Sequence, residues 1–236
     1  MRQIKLNILP YLIFILFSVS CNDNTSPLSA MPIDLEMLNG QIENWKFSDT
    51  LNILGMSPIV DYGYPVAEET LFIYGTSNIQ MNGRFSIKLK SPNKRLREDP
   101  IDYTRMWDQS DIYTQFSISD TNVLFESMRL SIYTNSPRKT IDWVINGSSN
   151  NYSFSQIFNS VGDYTCWFIY ADRNVDVIYR QKYVNGVPDT IETIANLKIA
   201  KGWNKQIKML TMKSQNYYKL IAYIDNNFTG KYYLGH

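Results

Sequence analysis

The side chains of this 236-residue chain that could do chemistry are mostly carboxylates and large aromatics. Acids gather at Glu98, Asp99 and Asp102, at Asp108 and Asp111, and at Asp172 and Asp176. Two carboxyl groups about 5 to 9.5 Å apart are what a glycosidase needs, one to protonate the leaving oxygen and one to attack or to activate water. A glycan-active hydrolase using such a pair is therefore one reading, with solvated loop charge as the ordinary alternative for each cluster. Other catalytic classes lack their parts. The single histidine is His236 at the chain end, where residues fray, so a Ser-His-Asp or Cys-His arrangement has no base. Phosphate-cradling glycine patterns and paired-cysteine zinc spacings are missing too. No catalytic residue, cofactor or metal ligand is assigned on this basis.

Binding chemistry is better supplied. Five tryptophans and 17 tyrosines are a large aromatic load, and flat rings exposed on a sheet can stack against the apolar faces of sugars. Trp107 stands in a charged segment and Trp203 beside a turn glycine, so these two are the best candidates for an exposed glycan platform, with structural packing as the ordinary alternative for each. Trp45, Trp143 and Trp167 are expected in the core. Lys88, Lys90, Lys94, Arg95 and Arg97 make a basic run, but Glu98, Asp99 and Asp102 follow at once, as in a mixed-charge linker. A formal net charge of +1 argues against a protein devoted to neutralising phosphate backbones, and no nucleic-acid partner is expected.

These side chains must be positioned by strands. The chain is 44% hydrophobic and its dominant apolar period is two, which together indicate packed sheets. Phe85, Ile87 and Leu89 alternate with Arg84, Ser86, Lys88 and Lys90 after an Asn82-Gly83 turn. Val175, Val177, Tyr179 and Tyr183 alternate with Asn174, Asp176, Arg180 and Lys182, and Ile191, Ala195, Leu197 and Ile199 with Glu192, Asn196 and Lys198. Asn185-Gly186 between these two runs suits the positive φ angles of a tight hairpin. Residues 165–170 (TCWFIY) are apolar on both faces, as in a strand covered from two sides, which makes Cys166 a packed core thiol. Further strands are expected at 206–212 and, as the last one, at 217–224. The best short helical candidates are 34–38 and 153–160. The predicted fold is an all-β antiparallel sandwich, one continuous assembly or two packed β-domains. Its segments are a leader at 1–20, a flexible tether at 21–33, a small β-module at 34–92, a charged connector at 93–111 and a β-rich domain at 112–236.

The leader has three parts. Arg2 and Lys5 precede an apolar run from Leu6 to Phe17, and small residues Ser18 and Ser20 flank Val19. This is the layout of a secretory signal, and the run is shorter than the roughly 20 residues a membrane-spanning helix requires. Cys21 comes next, followed by the polar stretch Asn22 to Pro27. Here the sequence resembles a bacterial lipoprotein precursor, although Ser18 stands three places before the cysteine where Leu is usual. The resemblance implies that the Cys21 thiol is lipidated and the leader removed in front of it. It implies a lipid anchor in the cell envelope, most naturally in the outer membrane, with the membrane as a partner. Loss of Arg2 and Lys5 leaves a nearly neutral mature chain, with Cys166 its only other cysteine.

Residues 40–45 (GQIENW) and 82–89 (NGRFSIKL) resemble the opening and closing strands of transthyretin-like or carboxypeptidase-regulatory-like β-sandwich modules. Residues 170–175 (YADRNV) and 197–204 (LKIAKGWN) are similar to a pattern in uncharacterised bacterial envelope lipoproteins. Neither resemblance brings catalytic residues. Together they imply a β-rich envelope protein; the leading expectation for its role is a non-enzymatic binding or structural accessory, with a glycan or an envelope protein as its partner, and the second is the glycan-active hydrolase.

Overall fold

The computed structural model describes residues 35–49, 51–57, 73–92, 112–134, 140–149, 157–183 and 190–235. Every named element among them is a strand: β1 Met37–Gln41, β2 Asn52–Met56, β3 Ile73–Asn78, β4 Arg84–Lys88, β5 Ile112–Ile118, β6 Phe125–Tyr133, β7 Thr140–Asn146, β8 Tyr164–Ala171, β9 Val175–Tyr183, β10 Thr190–Ile199, β11 Gly202–Lys213, β12 Tyr217–Ile224 and β13 Tyr232–Gly235. β1 and β4 form a two-stranded antiparallel sheet. The others form an eleven-stranded sheet in the order β13-β7-β6-β8-β11-β12-β10-β9-β5, with β2 joined to β6 and β3 to β2. The all-β expectation holds. The larger sheet is mixed, however, because β10 and β12 pair in parallel.

The parallel pair follows from tight turns. Each short connection reverses the chain, so β10 and β12, two reversals apart, point the same way. The corner between β10 and β11 needs only Ala200 and Lys201, yet β12 lies between these two strands. The starts of β11 and the end of β10 overhang β12, since Gln206 pairs with Ile224 and Ala195 with Ala222. Gly202 supplies the corner with a φ of +105°, a conformation that carries little penalty only without a Cβ. Asn204, fully buried, ties the corner off: its amide nitrogen donates to the carbonyls of Ala200 at 2.8 Å and Gly202 at 3.0 Å. Its carbonyl oxygen accepts the Ala200 N–H at 3.1 Å.

Side-chain alternation places two cores on opposite faces of the sheet. β8 lies between β6 and β11; its Cys166, Phe168 and Tyr170 join one cluster, and its Ile169 and Ala171 another. The first cluster also draws Leu38 of β1, Ile53 of β2, Tyr74 of β3 and Phe85 and Ile87 of β4 against Leu130 and Ile132 of β6. Strands from before and after residues 93–111 thus share one core and one ladder, since β2 pairs with β6 in register. The second cluster gathers Phe125, Val177, Ala195, Leu197 and Ala222. All described strands fall in one compact unit, residues 31–236, which holds the apolar core a domain needs to fold by itself.

The predicted alternation holds in β4 and over residues 175–178 of β9, and in β10 it fails at Glu192, which is buried. In β4, Phe85 and Ile87 are buried while Arg84, Ser86 and Lys88 are exposed, and Gly83 before it has a φ of +81°. A Cβ on Gly83 would also meet Ile42 O at 2.9 Å and Trp45 Cβ at 2.8 Å, so both the turn and the packing require glycine there. β9 and β10 form the expected hairpin, although its Asn-Gly turn lies outside the described residues. Two other expectations fail. Residues 37 and 38, placed in a helical candidate, belong to strand β1 because their backbone pairs with β4. β12 matches its expected range but is not last, because residues 232–235 add β13 beside β7. The helical candidate at 153–160 is described only from residue 157.

Candidate functional site

The two tryptophans singled out for ligand binding fare differently. Trp107 lies outside the described residues, as does Cys21. Trp203 is 2% exposed, so its candidacy as an exposed platform is corrected and the alternative of structural packing holds. β11 directs it into the first core, where it packs on Tyr74 at 5.1 Å and Tyr170 at 5.5 Å. Its indole N–H is also used, donating to Lys90 O at 2.8 Å. The turn glycine beside it indicated a chain reversal but said nothing of the sheet packed above. Trp167 departs in the opposite sense: expected in the core, it is 39% exposed. Trp45 and Trp143 are half-buried, the first edge-on to Phe47 and the second beneath the Arg129 guanidinium at 4.5 Å.

Of the acidic clusters, Asp172 and Asp176 are described. The Asp172 carboxylate accepts the Leu124 N–H at 3.0 Å, and its own N–H donates to Leu124 O at 3.2 Å. Arg173 bridges it to Asp120, with contacts of 3.2 Å to each acid. This is a clasp between the β5–β6 and β8–β9 turns, in keeping with a strand-end ion pair. Asp176 is exposed on β9. Glu98, Asp99, Asp102, Asp108 and Asp111 lie outside the described residues. Cys166 is buried, and that burial pushes its thiol up to about 12, so at neutral pH it is a packed apolar group and not a nucleophile.

The most organised polar cluster was not foreseen. Alternation puts Glu192 on the side of β10 shared with Lys182 and therefore toward water, yet it is only 7% exposed. The parallel neighbour β12 supplies Tyr217, whose hydroxyl donates to Glu192 Oε2, and β9 supplies Arg180, whose Nε donates to Oε1 at 2.6 Å. These donors hold the carboxyl below its ordinary value; the Tyr217 hydrogen bond is the chief cause, with burial opposing it. The Tyr217 hydroxyl is raised by the same bond. The signal existed in the sequence only as three polar residues on separate strands, and nothing local assigns β12 to the side of β10.

Around this hub the same face carries apolar side chains in neighbouring strands. Met209 of β11 pairs with Ile221 of β12, and Ile221 with Ile194 of β10. Ile178 of β9 lies one position diagonal to Ile194, since its partner is Asn196. Ile178 is 40% and Ile221 37% exposed, while Ile194 and Met209 are half-buried. Met212 emerges farther along β11, after a bulge, and pairs with Lys219. This row lies on the outer face of the four strands; on their opposite, inner face the Gln206 amide of β11 reaches the Tyr179 hydroxyl of β9 at 3.5 Å. Arg180, Lys182, Lys198 and Lys219 surround the apolar row, with Asp176 and Glu192 as the acids of the same face.

No helix among the described residues is long and apolar enough to cross a membrane. Compared with known proteins, the chain finds no match: no family description, no curated protein and no solved structure aligns with it.

Proposed function

We propose that this protein is a lipid-anchored lipoprotein of the bacterial cell envelope, held on the outer membrane and acting as a non-enzymatic binding or structural accessory. One observation carries the reading: the basic start, the apolar run and the small residues 18–20 lead directly to Cys21, and polar residues follow it. In the sequence the first described strand starts at Met37, 16 residues after Cys21. One acyl chain holds a protein to a bilayer only marginally, whereas the two or three chains of a processed lipoprotein give lasting attachment. The described side chains suit an accessory role, because the acids Asp172 and Glu192 are engaged in holding turns and strands together.

The test is the state of Cys21 in protein purified from a bacterial host. Mass spectrometry of the N-terminus is expected to find diacylglycerol on that sulfur and no residue before it, and globomycin is expected to accumulate a heavier precursor. A bare thiol, or release of the chain into the medium, overturns the reading.

A further inference from the structure

We propose that the outer face of β9, β10, β12 and β11 is a membrane-contact surface that seats on anionic phospholipid. The inference rests on the lipid-anchor reading for its place in the cell, but its evidence is the face itself. Ile178, Ile194, Ile221 and Met209 run across four adjacent strands, joined by direct or diagonal register, and the two isoleucines nearest solvent are 40% and 37% exposed. A half-exposed branched side chain on each of several neighbouring strands differs from scattered surface apolars, because the area is continuous and one partner can cover it at once.

Charge selects the partner. Arg180, Lys182, Lys198 and Lys219 share the face with Asp176 and Glu192. Glu192 is engaged by Arg180 and Tyr217, and Asp176 stands opposite Lys198 in the ladder. The face therefore keeps an excess of positive charge around an apolar centre. Two copies meeting face to face would bring these cations against each other, which disfavours a symmetric dimer through this surface. An anionic lipid surface satisfies both parts, with headgroups meeting the basic rim and the isoleucines entering the interfacial layer. The tether adds proximity: the residues between Cys21 and Leu35 span at most about 50 Å when extended, so an anchored unit stays near the bilayer and weak contacts are sufficient.

The experiment uses unlipidated residues 22–236, which contain the whole compact unit, in co-sedimentation with phosphatidylcholine vesicles prepared with and without phosphatidylglycerol. Binding is expected only with phosphatidylglycerol, weakening as salt rises. The Ile178→Glu/Ile221→Glu variant is expected to bind about tenfold more weakly, and Lys182→Glu/Lys198→Glu to lose the preference for phosphatidylglycerol. The milder Ile178→Ser/Ile221→Ser pair serves if the glutamates disturb the circular dichroism melt. Three results overturn the proposal: no vesicle binding by the wild-type chain, unchanged binding by folded isoleucine variants, or binding of poly-glutamate without vesicles, which would assign the face to an acidic protein. A concentration-dependent dimer abolished by the isoleucine changes, without vesicle binding, also overturns it in favour of a second copy. Because no lipid is attached in this assay, failure here leaves the Cys21 anchor standing, and a bare Cys21 leaves this face standing.

Discussion

Replacing Asn204 with alanine tests whether the corner between β10 and β11 is held as the geometry indicates. The side chain makes three hydrogen bonds to the Ala200 and Gly202 backbone, at 2.8, 3.0 and 3.1 Å, and is fully buried. Each such bond has a net value of about 1 kcal/mol, and backbone groups stranded without water cost more than the bond itself contributed. A loss of about 3 kcal/mol is expected, equivalent to a fall in Tm of about 6 to 12 °C for a chain of this size. Urea unfolding followed by tryptophan fluorescence reads the first quantity, and calorimetry the second. Asn204→Asp sharpens the test. It retains an acceptor for the Ala200 N–H but sets a carboxylate against two carbonyl oxygens, so it should be at least as damaging at neutral pH and recover on acidification. A loss below about 0.5 kcal/mol for the alanine variant, within the range of ordinary surface changes, refutes the account of the corner.

The remaining expectations concern other points of the fold. Stability contributed by Glu192 is present above its ordinary carboxyl value of 4.5 and is lost as pH falls through the lower value of the folded state; Glu192→Gln should flatten that acid limb in denaturation curves measured across pH. Trp203→Phe removes the donor to Lys90 O and should cost about 1–3 kcal/mol in urea unfolding, while leaving any glycan binding unchanged. Gly83→Ala combines a positive φ with close approach to Ile42 O and should lower stability by about 1–3 kcal/mol, read as a shifted urea midpoint. Folded protein of residues 22–236 should present no thiol to a disulfide-exchange reagent and one after unfolding, since Cys166 is buried and its thiol raised to about 12.

Chain order alone decides whatever depends on neighbours a few residues apart. The alternation of Phe85 and Ile87, of Val175 and Val177 and of Leu197 and Ile199 follows from the two-residue period of an extended backbone, and the structure buries those side chains. The Asn82-Gly83 turn was legible for the same reason, because positive φ is a local property of the residue. The proposal of a leader and a lipidated Cys21 rests on a signal of the same linear kind, a pattern of residues independent of the fold.

Tertiary structure decided what depends on which strands become neighbours. Trp167, expected in the core, is exposed, and Trp203, a candidate for exposure, is packed, because burial depends on what is laid over a face, which local residue types do not report. Glu192 became a buried hub only because β12 settled beside β10 in parallel, bringing Tyr217 to a carboxylate whose own strand reads as solvent-facing. The outer apolar row arises in the same way, since Met209, Ile221, Ile194 and Ile178 come from four strands and meet only through their registers. A period of two tells which side chains share a face of one strand; the order of strands, set by burial summed over the whole sheet, tells which faces meet.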